Sequence, residues 1–307
     1  MIQTVRGEIT PTDLGVCSAH EHLCIDLSRI KKDPDTILDD VGGMEEELRR
    51  FKASGGQAMV EVTNDGMGRD AELLCKLSET TGVHLIASTG FYKDPFLPEK
   101  SFSWNREDFA QHMMNEINNG IEGTEVYPGI IGEIGSSHNE IKPIEEELLT
   151  GAGIAAIETG LPVTTHTTLG TMGVEQVELY SKLGLTMDQL IIGHQDLNTD
   201  NGRVLAVVEA GAFVGFDTIG KNNYRPDEDR IRSILFLFEK GYGSKILLSA
   251  DLTRKSHWHK HGGIGYDYVL NQFVPRLKES GLSDQDIHML LIGNPARAFN
   301  RKAMKQI

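Results

Sequence analysis

The sequence predicts an α/β fold, a single-domain (β/α)8 TIM barrel that takes in residues 1–307. Three observations carry this expectation. Eight short β-branched or apolar runs recur along the chain with longer amphipathic stretches between them, the signature of repeated βα units around a parallel sheet. No Pro/Ser-rich linker, low-complexity segment or shift in composition divides the 307 residues. Hydrophobic residues at 39% and charged residues at 24% supply one large interior and exclude a disordered chain.

The runs can be taken in order. The first ends at Val16-Cys17-Ser18, and the next three are Ala58–Val62, His84–Ser88 and Ile130–Ile134. Val163–His166, Leu190–His194, Phe213–Asp217 and Ile246–Asp251 complete the set. Helical periodicity fills the gaps at Met44–Ala53, Asp70–Glu79, Glu107–Asn118, Glu145–Glu158 and Asp227–Lys240, the first of them closed by Gly55-Gly56. A further helix is predicted over Tyr268–Glu279. The last opens near Ser283, where Asp286 three residues on completes a capping-box pattern.

Composition also excludes partners. With 45 acidic against 30 basic residues the formal charge is −15, which repels a phosphate backbone and argues against nucleic acid. The opening MIQTVRGEIT lacks the apolar core of a signal peptide, and no apolar run approaches the ~20 residues that span a bilayer, so a cytoplasmic protein without membrane contact is expected. Cys17, Cys24 and Cys75 are too few and too scattered for a disulfide framework and are expected as free thiols.

In such a barrel the catalytic groups gather at the C-terminal ends of the strands, so the ends of the runs form a roster of mouth residues. Just beyond the first lie His20 and His22, whose alternation in extended chain sends both side chains the same way. The fourth run offers Glu133, the fifth ends in His166, the sixth in His194 and the eighth in Asp251. Any one of these residues alone reads as an ordinary hydrogen-bonding partner. Six together read as a metal centre, because imidazole and carboxylate suit Zn²⁺, Mn²⁺ or Co²⁺, and a bridging carboxylate can hold two ions about 3.5–4 Å apart. Two divalent ions, Zn²⁺ the first choice, are expected as cofactors. Such ions lower the pKa of water from ~15.7 toward ~7 and polarise a carbonyl or phosphoryl oxygen. Asp251 is the candidate catalytic group, placed both to touch an ion and to accept the proton of the attacking water.

These residues sit in segments that resemble a known family. The His20-Glu21-His22 segment, PGIIGEIGSS from Pro128, PVTTHT from Pro162, IGH from Ile192, GFDTIGKNNY from Gly215 and SADLTRKSH from Ser249 are similar, in the same order, to the phosphotriesterase-like branch of the amidohydrolase superfamily, and in particular to its phosphotriesterase homology subgroup. The resemblance implies that His20, His22 and Asp251 bind the more buried ion, that His166 and His194 bind the more exposed one, and that Glu133 bridges them. True phosphotriesterases use a carboxylated lysine as the bridge. The fourth run contains no lysine, so organophosphate triester hydrolysis is not the expected main activity. The resemblance also implies a pocket role for Tyr92 and allows a homodimer.

The seventh and eighth loops carry Lys221 and Arg225, and Arg254 and His257. Basic loops beside a cationic centre in an acidic chain point to a small anionic substrate. Lys221 and Arg254 are the leading candidates for its remote phosphate or phosphonate, with His257 and Arg225 next. The expected reaction is hydrolysis of an ester bond in a phosphorylated sugar lactone. The alternatives are a phosphonate or phosphate ester hydrolase, a cyclic amide hydrolase and a metal-containing binding protein.

Overall fold

The computed structural model describes residues 1–302. Eight parallel strands pair in sequence order: β1 Cys17–Glu21, β2 Ala58–Glu61, β3 His84–Thr89, β4 Ile130–Ser136, β5 Val163–Thr167, β6 Leu190–Ile192, β7 Phe213–Phe216 and β8 Ile246–Leu248. Each expected run overlaps one of them, and β1, β3, β4 and β5 continue past the ends of their runs. Seven helices follow β1 to β7 in turn: α1 Val41–Ala53, α2 Ala71–Thr81, α3 Arg106–Asn119, α4 Pro143–Thr159, α5 Gly173–Leu183, α6 Asn201–Glu209 and α7 Asp227–Glu239. The molecule is a nearly closed (β/α)8 barrel of one domain.

Local chemistry sets the helix ends. Asp40 and Asp70 accept hydrogen bonds from Gly43 N (3.0 Å) and Leu73 N (2.9 Å), which meets part of the unpaired first turn of α1 and α2. The expected Ser283–Asp286 capping box forms, with Ser283 N donating to Asp286 at 2.9 Å. The helix expected over Tyr268–Glu279 is present, but its first turn, Val269–Phe273, is a π-turn. A second π-turn at Met289–Gly293 also runs up to a proline. Pro275 and Pro295 have no N–H to donate, and the wider turn relieves the clash of their rings with the preceding carbonyls.

β8 returns against β1 to close the barrel. At the mouth end of this seam the carboxylate of Glu21 takes the place of a backbone ladder, accepting from Ala250 N at 2.8 Å and Leu252 N at 3.0 Å. Ser18 Oγ donates to the same carboxylate at 2.9 Å. The lower half of the barrel is apolar, filled by Ala19, Val60, Ile86, Ile130, Ile191, Phe213 and Leu247 and floored by Ile2, Leu14 and Phe299. Ile2 belongs to a hairpin of Ile2–Thr4 and Gly7–Ile9, which docks through Val5 N on Leu85 O at 2.9 Å. All charge inside the barrel is thereby driven to its upper end.

No helix among the described residues is long and apolar enough to cross a membrane. The three cysteines are free, with Cys17 and Cys24 buried.

Candidate functional site

The structure brings all six expected ligands to one point. Glu133 is central: its Oε2 lies 3.5 Å from His20 Nε2, 3.3 Å from His166 Nδ1 and 3.5 Å from His194 Nε2, and its Oε1 lies 3.5 Å from His22 Nε2. Asp251 Oδ1 lies 3.2 Å from His22 Nε2 and 3.7 Å from His20 Nε2. Ligand atoms of His20, His22 and Asp251 all fall within 4.8 Å of one another, as do those of His20, Glu133 and His194.

The backbone is bent to achieve this. The β4–β5 register breaks between Ile131 and Ile134, at the position of Glu133. Gly132 occupies φ +123°, and a Cβ there would come within 2.1 Å of Thr164 O, so only glycine fits. His194 and Asp251, just past the ends of β6 and β8, adopt left-handed φ of 56° and 52°. Non-glycine residues hold such angles at a cost of order 1–3 kcal/mol, and do so chiefly where a site depends on them.

The cluster fits divalent cations. Two atoms bonded to one ion at ~2.1 Å with tetrahedral geometry stand about 3.4 Å apart, which is the spacing seen here between imidazole nitrogens and carboxylate oxygens. Both ring nitrogens of His20 and Oε2 of Glu133 are buried without a hydrogen-bond partner. Leaving such groups unpaired costs about 1–3 kcal/mol each, so their convergence marks a place built for a ligand. Burial alone would raise the Glu133 carboxyl, but the imidazoles around it hold it well below its usual range. His22 is pushed up to about 10 by Asp251 and Glu133 against the opposing effect of burial.

Three histidines are held in the tautomer a ligand needs. His194 Nδ1 donates to Asp217 at 2.7 Å, leaving Nε2 toward Glu133. Thr63 donates its hydroxyl to Glu61 at 2.5 Å and so accepts from His22 Nδ1 at 2.9 Å, again freeing Nε2. Thr168 donates to Ser136 O at 2.8 Å and accepts from His166 Nε2 at 3.1 Å, which leaves Nδ1 as the inward atom. Sequence reasoning did not single out Asp217, Glu61, Thr63 or Thr168. Their signal was available, since a histidine ligand ordinarily donates its second nitrogen to a carboxylate, hydroxyl or carbonyl.

Residues 1–299 match the Phosphotriesterase family. The chain belongs to this family. It is 41% identical over 285 residues to the phosphotriesterase homology protein of Escherichia coli K12, across 93% of this chain and 98% of that protein. The crystal structure of that E. coli protein complexed with phosphate in the active site superposes with a TM-score of 0.92, covering 94% of this chain and 99% of that one. N-acetyltaurine hydrolase of Mus musculus is 31% identical over 336 residues, 96% of each chain. A lactonase from Listeria monocytogenes, 30% identical, superposes with a TM-score of 0.94 over 98% of this chain and 99% of that one. The family relatives named here as enzymes are hydrolases.

In this phosphotriesterase-family chain the ligand cluster floors a cavity of about 290 Å³. Its walls include apolar Ile25, Leu27, Met67 and Phe96, and four cations, Lys31, Lys93, Lys221 and Arg254. Tyr92 is in the wall as expected, with its hydroxyl 3.2 Å from His166 Nε2. Burial first, then the Glu133 and Asp251 charges, push its phenol well above the usual range, so it remains a donor. Lys221 and Arg254 also line the cavity, but neither ammonium nor guanidinium is free. Lys221 Nζ is paired with Asp251 Oδ2. Arg254 reaches Asp33 at 2.6 Å and Asp35 at 3.5 Å.

Two of the expected substrate contacts stand outside this lining. Arg225 is not part of the cavity wall; its guanidinium donates to Asp196 O, Asn198 O and Ser233 Oγ, and so braces the loop after β7 from behind. His257 is also outside the wall. Its Nδ1 accepts from Thr253 N at 3.3 Å, and burial, with Lys221 nearby, lowers its pKa to about 4.

Proposed function

We propose that this chain hydrolyses an ester bond in a small anionic molecule, with a phosphorylated sugar lactone as the preferred substrate. The observation that carries the reading is a buried imidazole–carboxylate cluster with unpartnered ligand atoms, set at the floor of a cavity whose remaining charges are all positive. His20, His22 and Asp251 would hold one divalent ion and His166 and His194 the other, with Glu133 placed between the two groups. Zn²⁺, Mn²⁺ and Co²⁺ all suit this donor set. When bound, the ions make hydroxide available near neutral pH and polarise the scissile carbonyl.

The chain's own groups supply the rest. Asp251, kept ionised by Lys221 and the neighbouring imidazoles despite its burial, is placed to accept the proton of the attacking water. The Tyr92 phenol donates to a substrate oxygen on the His166 side. The apolar wall of Ile25, Leu27, Met67 and Phe96 takes the carbon skeleton and keeps bulk water out. A glutamate bridge is a permanent carboxylate and needs no carbon dioxide for assembly.

Likeness to a lactonase and to N-acetyltaurine hydrolase supports attack at a carbonyl centre. Phosphonate or phosphate ester hydrolysis is the second reading, favoured by the phosphate in the active site of the E. coli relative. The deciding experiment is kcat/KM of Zn²⁺-, Mn²⁺- and Co²⁺-loaded enzyme on a phosphorylated γ-lactone, its unphosphorylated parent, a phosphonate monoester and an N-acyl amide. The phosphorylated lactone is expected to lead. Turnover confined to the phosphonate or the amide would displace the lactone reading.

A further inference from the structure

We infer that the remote anion of the substrate docks between Lys31 and Lys93, beside Phe96, rather than on Lys221 and Arg254. The inference rests on the reading of the substrate as a small molecule with a terminal phosphate.

The cavity presents four cations, and they differ in what already faces them. Arg254 is held by Asp33 and Asp35, with Ser256 adding two hydrogen bonds to Asp35. Lys221 is held by Asp251. A cation already facing a carboxylate offers a second anion only the weak field of a dipole, and recruiting it requires that pair to be broken. Lys31 and Lys93 have no carboxylate within ion-pairing distance among the described residues; the one hydrogen bond of the Lys93 ammonium is a long one, 3.4 Å, to the carbonyl of Asp94. The uncompensated positive charge of the mouth therefore lies on the loops after β1 and β3.

The two ammonium groups are gathered around one ring. Lys31 Nζ lies 5.8 Å and Lys93 Nζ 6.0 Å from the centroid of Phe96, and Lys93 Nζ is 5.6 Å from that of Tyr92. Phe96 is itself buried, at 7% exposure, so the ring is a fixed platform. The stem of Lys93 runs over Gly135, where a Cβ would stand 2.9 Å from Lys93 Cβ and 3.0 Å from its Cδ. A backbone without a side chain is what lets this lysine lie down into the wall. Lys31 is exposed and Lys93 half-buried, neither is ion-paired among the described residues, and a dianionic phosphate monoester can meet both with charge-assisted hydrogen bonds.

Tyr92 touches the metal-site residue His166, with ring centroids 4.8 Å apart, and touches Phe96 on its other side at 5.0 Å. Tyr92 thus stands between the metal-site residue His166 and the Phe96 ring that both ammonium groups face.

Lys31→Met and Lys93→Met delete the charges and keep the stems. The measured quantity is the ratio of kcat/KM for a phosphorylated γ-lactone to that for its unphosphorylated parent. Each substitution is expected to lower this ratio about 10-fold and the double variant about 100-fold, through KM, as befits lost charge-assisted contacts. The loss is expected to exceed that from Arg254→Met. A double variant that keeps the wild-type ratio while Arg254→Met collapses it overturns the inference and leaves the lactonase reading standing. Should the wild type hydrolyse neither lactone, that reading falls, and calorimetric binding of ribose 5-phosphate to the metal-loaded protein decides the lysine pair by itself. At least a 10-fold weaker affinity in the double variant supports the pair. No binding to the wild type, or equal affinity in both proteins, overturns it.

Discussion

Asp217→Asn should weaken zinc binding without changing the shape of the site. The carboxylate accepts the His194 ring proton at 2.7 Å and the His194 backbone N–H at 2.9 and 3.1 Å, and its other oxygen stands 3.7 Å from His20 Nδ1. Asparagine preserves the volume and one acceptor. If that oxygen stays with the backbone N–H, the new amide donor faces His194 Nδ1 and moves the ring proton to Nε2, the atom aimed at Glu133. A ligand then becomes a donor. If the oxygen stays with the ring, it still accepts from the backbone N–H at 2.9 Å, but the amide group then opposes that N–H from the other side and the ring loses a charge-assisted bond worth about 1.5–3 kcal/mol. Either way the expected loss is 10–100-fold in metal affinity, about 1.4–2.7 kcal/mol. Competition with a chromophoric chelator measures it directly, with His194→Asn setting the scale for complete loss of the ligand. Wild-type affinity for both equivalents of zinc in Asp217→Asn would refute the orienting role.

Four further outcomes follow from the same geometry. Glu133→Ala removes the one group that faces all four imidazoles, and elemental analysis should show bound metal falling from two equivalents to one or fewer, with turnover lost. Glu21→Gln turns an amide donor toward a backbone N–H at the β1–β8 seam, which should cost about 1–3 kcal/mol in urea unfolding and lower turnover as well, because Asp251 sits between the two N–H groups that Glu21 holds. Gly132→Ala places a Cβ against Thr164 O at a backbone angle closed to alanine, so the expected result is poor folding or a lower melting temperature with reduced metal content. His257 titrates near 4 when folded and near 6.5 when unfolded, so protonation favours the unfolded chain: its stabilising share is full above pH 6.5 and declines as pH falls toward 4. His257→Gln should flatten the drop in urea midpoint between pH 7 and 5, and an unchanged slope would refute that assignment.

The fold and the six clustered side chains were legible for one reason. Every strand of a parallel barrel must be an apolar run, and every run must end at the same face, so a chain-wide list of run ends is also a map of the mouth. His20, His22, Glu133, His166, His194 and Asp251 all came from that rule, and all six converge. Asp217 obeys the same rule at the end of the seventh run; it stays hidden in sequence because a carboxylate one atom behind a ligand has the same signature as a ligand. The substrate side was less legible because it depends on where long side chains turn. Arg225 and Lys221 lie four residues apart in one loop, yet one braces the loop from behind and the other lines the cavity. Nothing in the composition of residues 31 or 93 marks them as neighbours, since Phe96 and Gly135, which hold them in place, are brought together only by the folded β3 and β4 loops.

The acidic character of the chain and the proposed preference for an anion are compatible because they act over different distances. The formal charge of −15 is spread over the outer surface, where at physiological ionic strength it is screened within about 8 Å. The cavity carries no carboxylate in its wall apart from Glu133 and Asp251, and two divalent ions would outweigh both. On the proposed reading, recognition is a short-range matter between the substrate's terminal charge and individual lysines. The metal centre cannot choose the substrate alone, because carbonyl and phosphoryl oxygens are polarised by the same ions. Relatives that include a lactonase and an N-acetyltaurine hydrolase share the barrel, so the bond that is cleaved has to be selected above the metals, by what the mouth holds still. In this chain the part of the mouth left uncompensated is the Lys31–Phe96–Lys93 edge, which makes the loops after β1 and β3, rather than the late loops, the place where substitutions should exchange one anionic substrate for another.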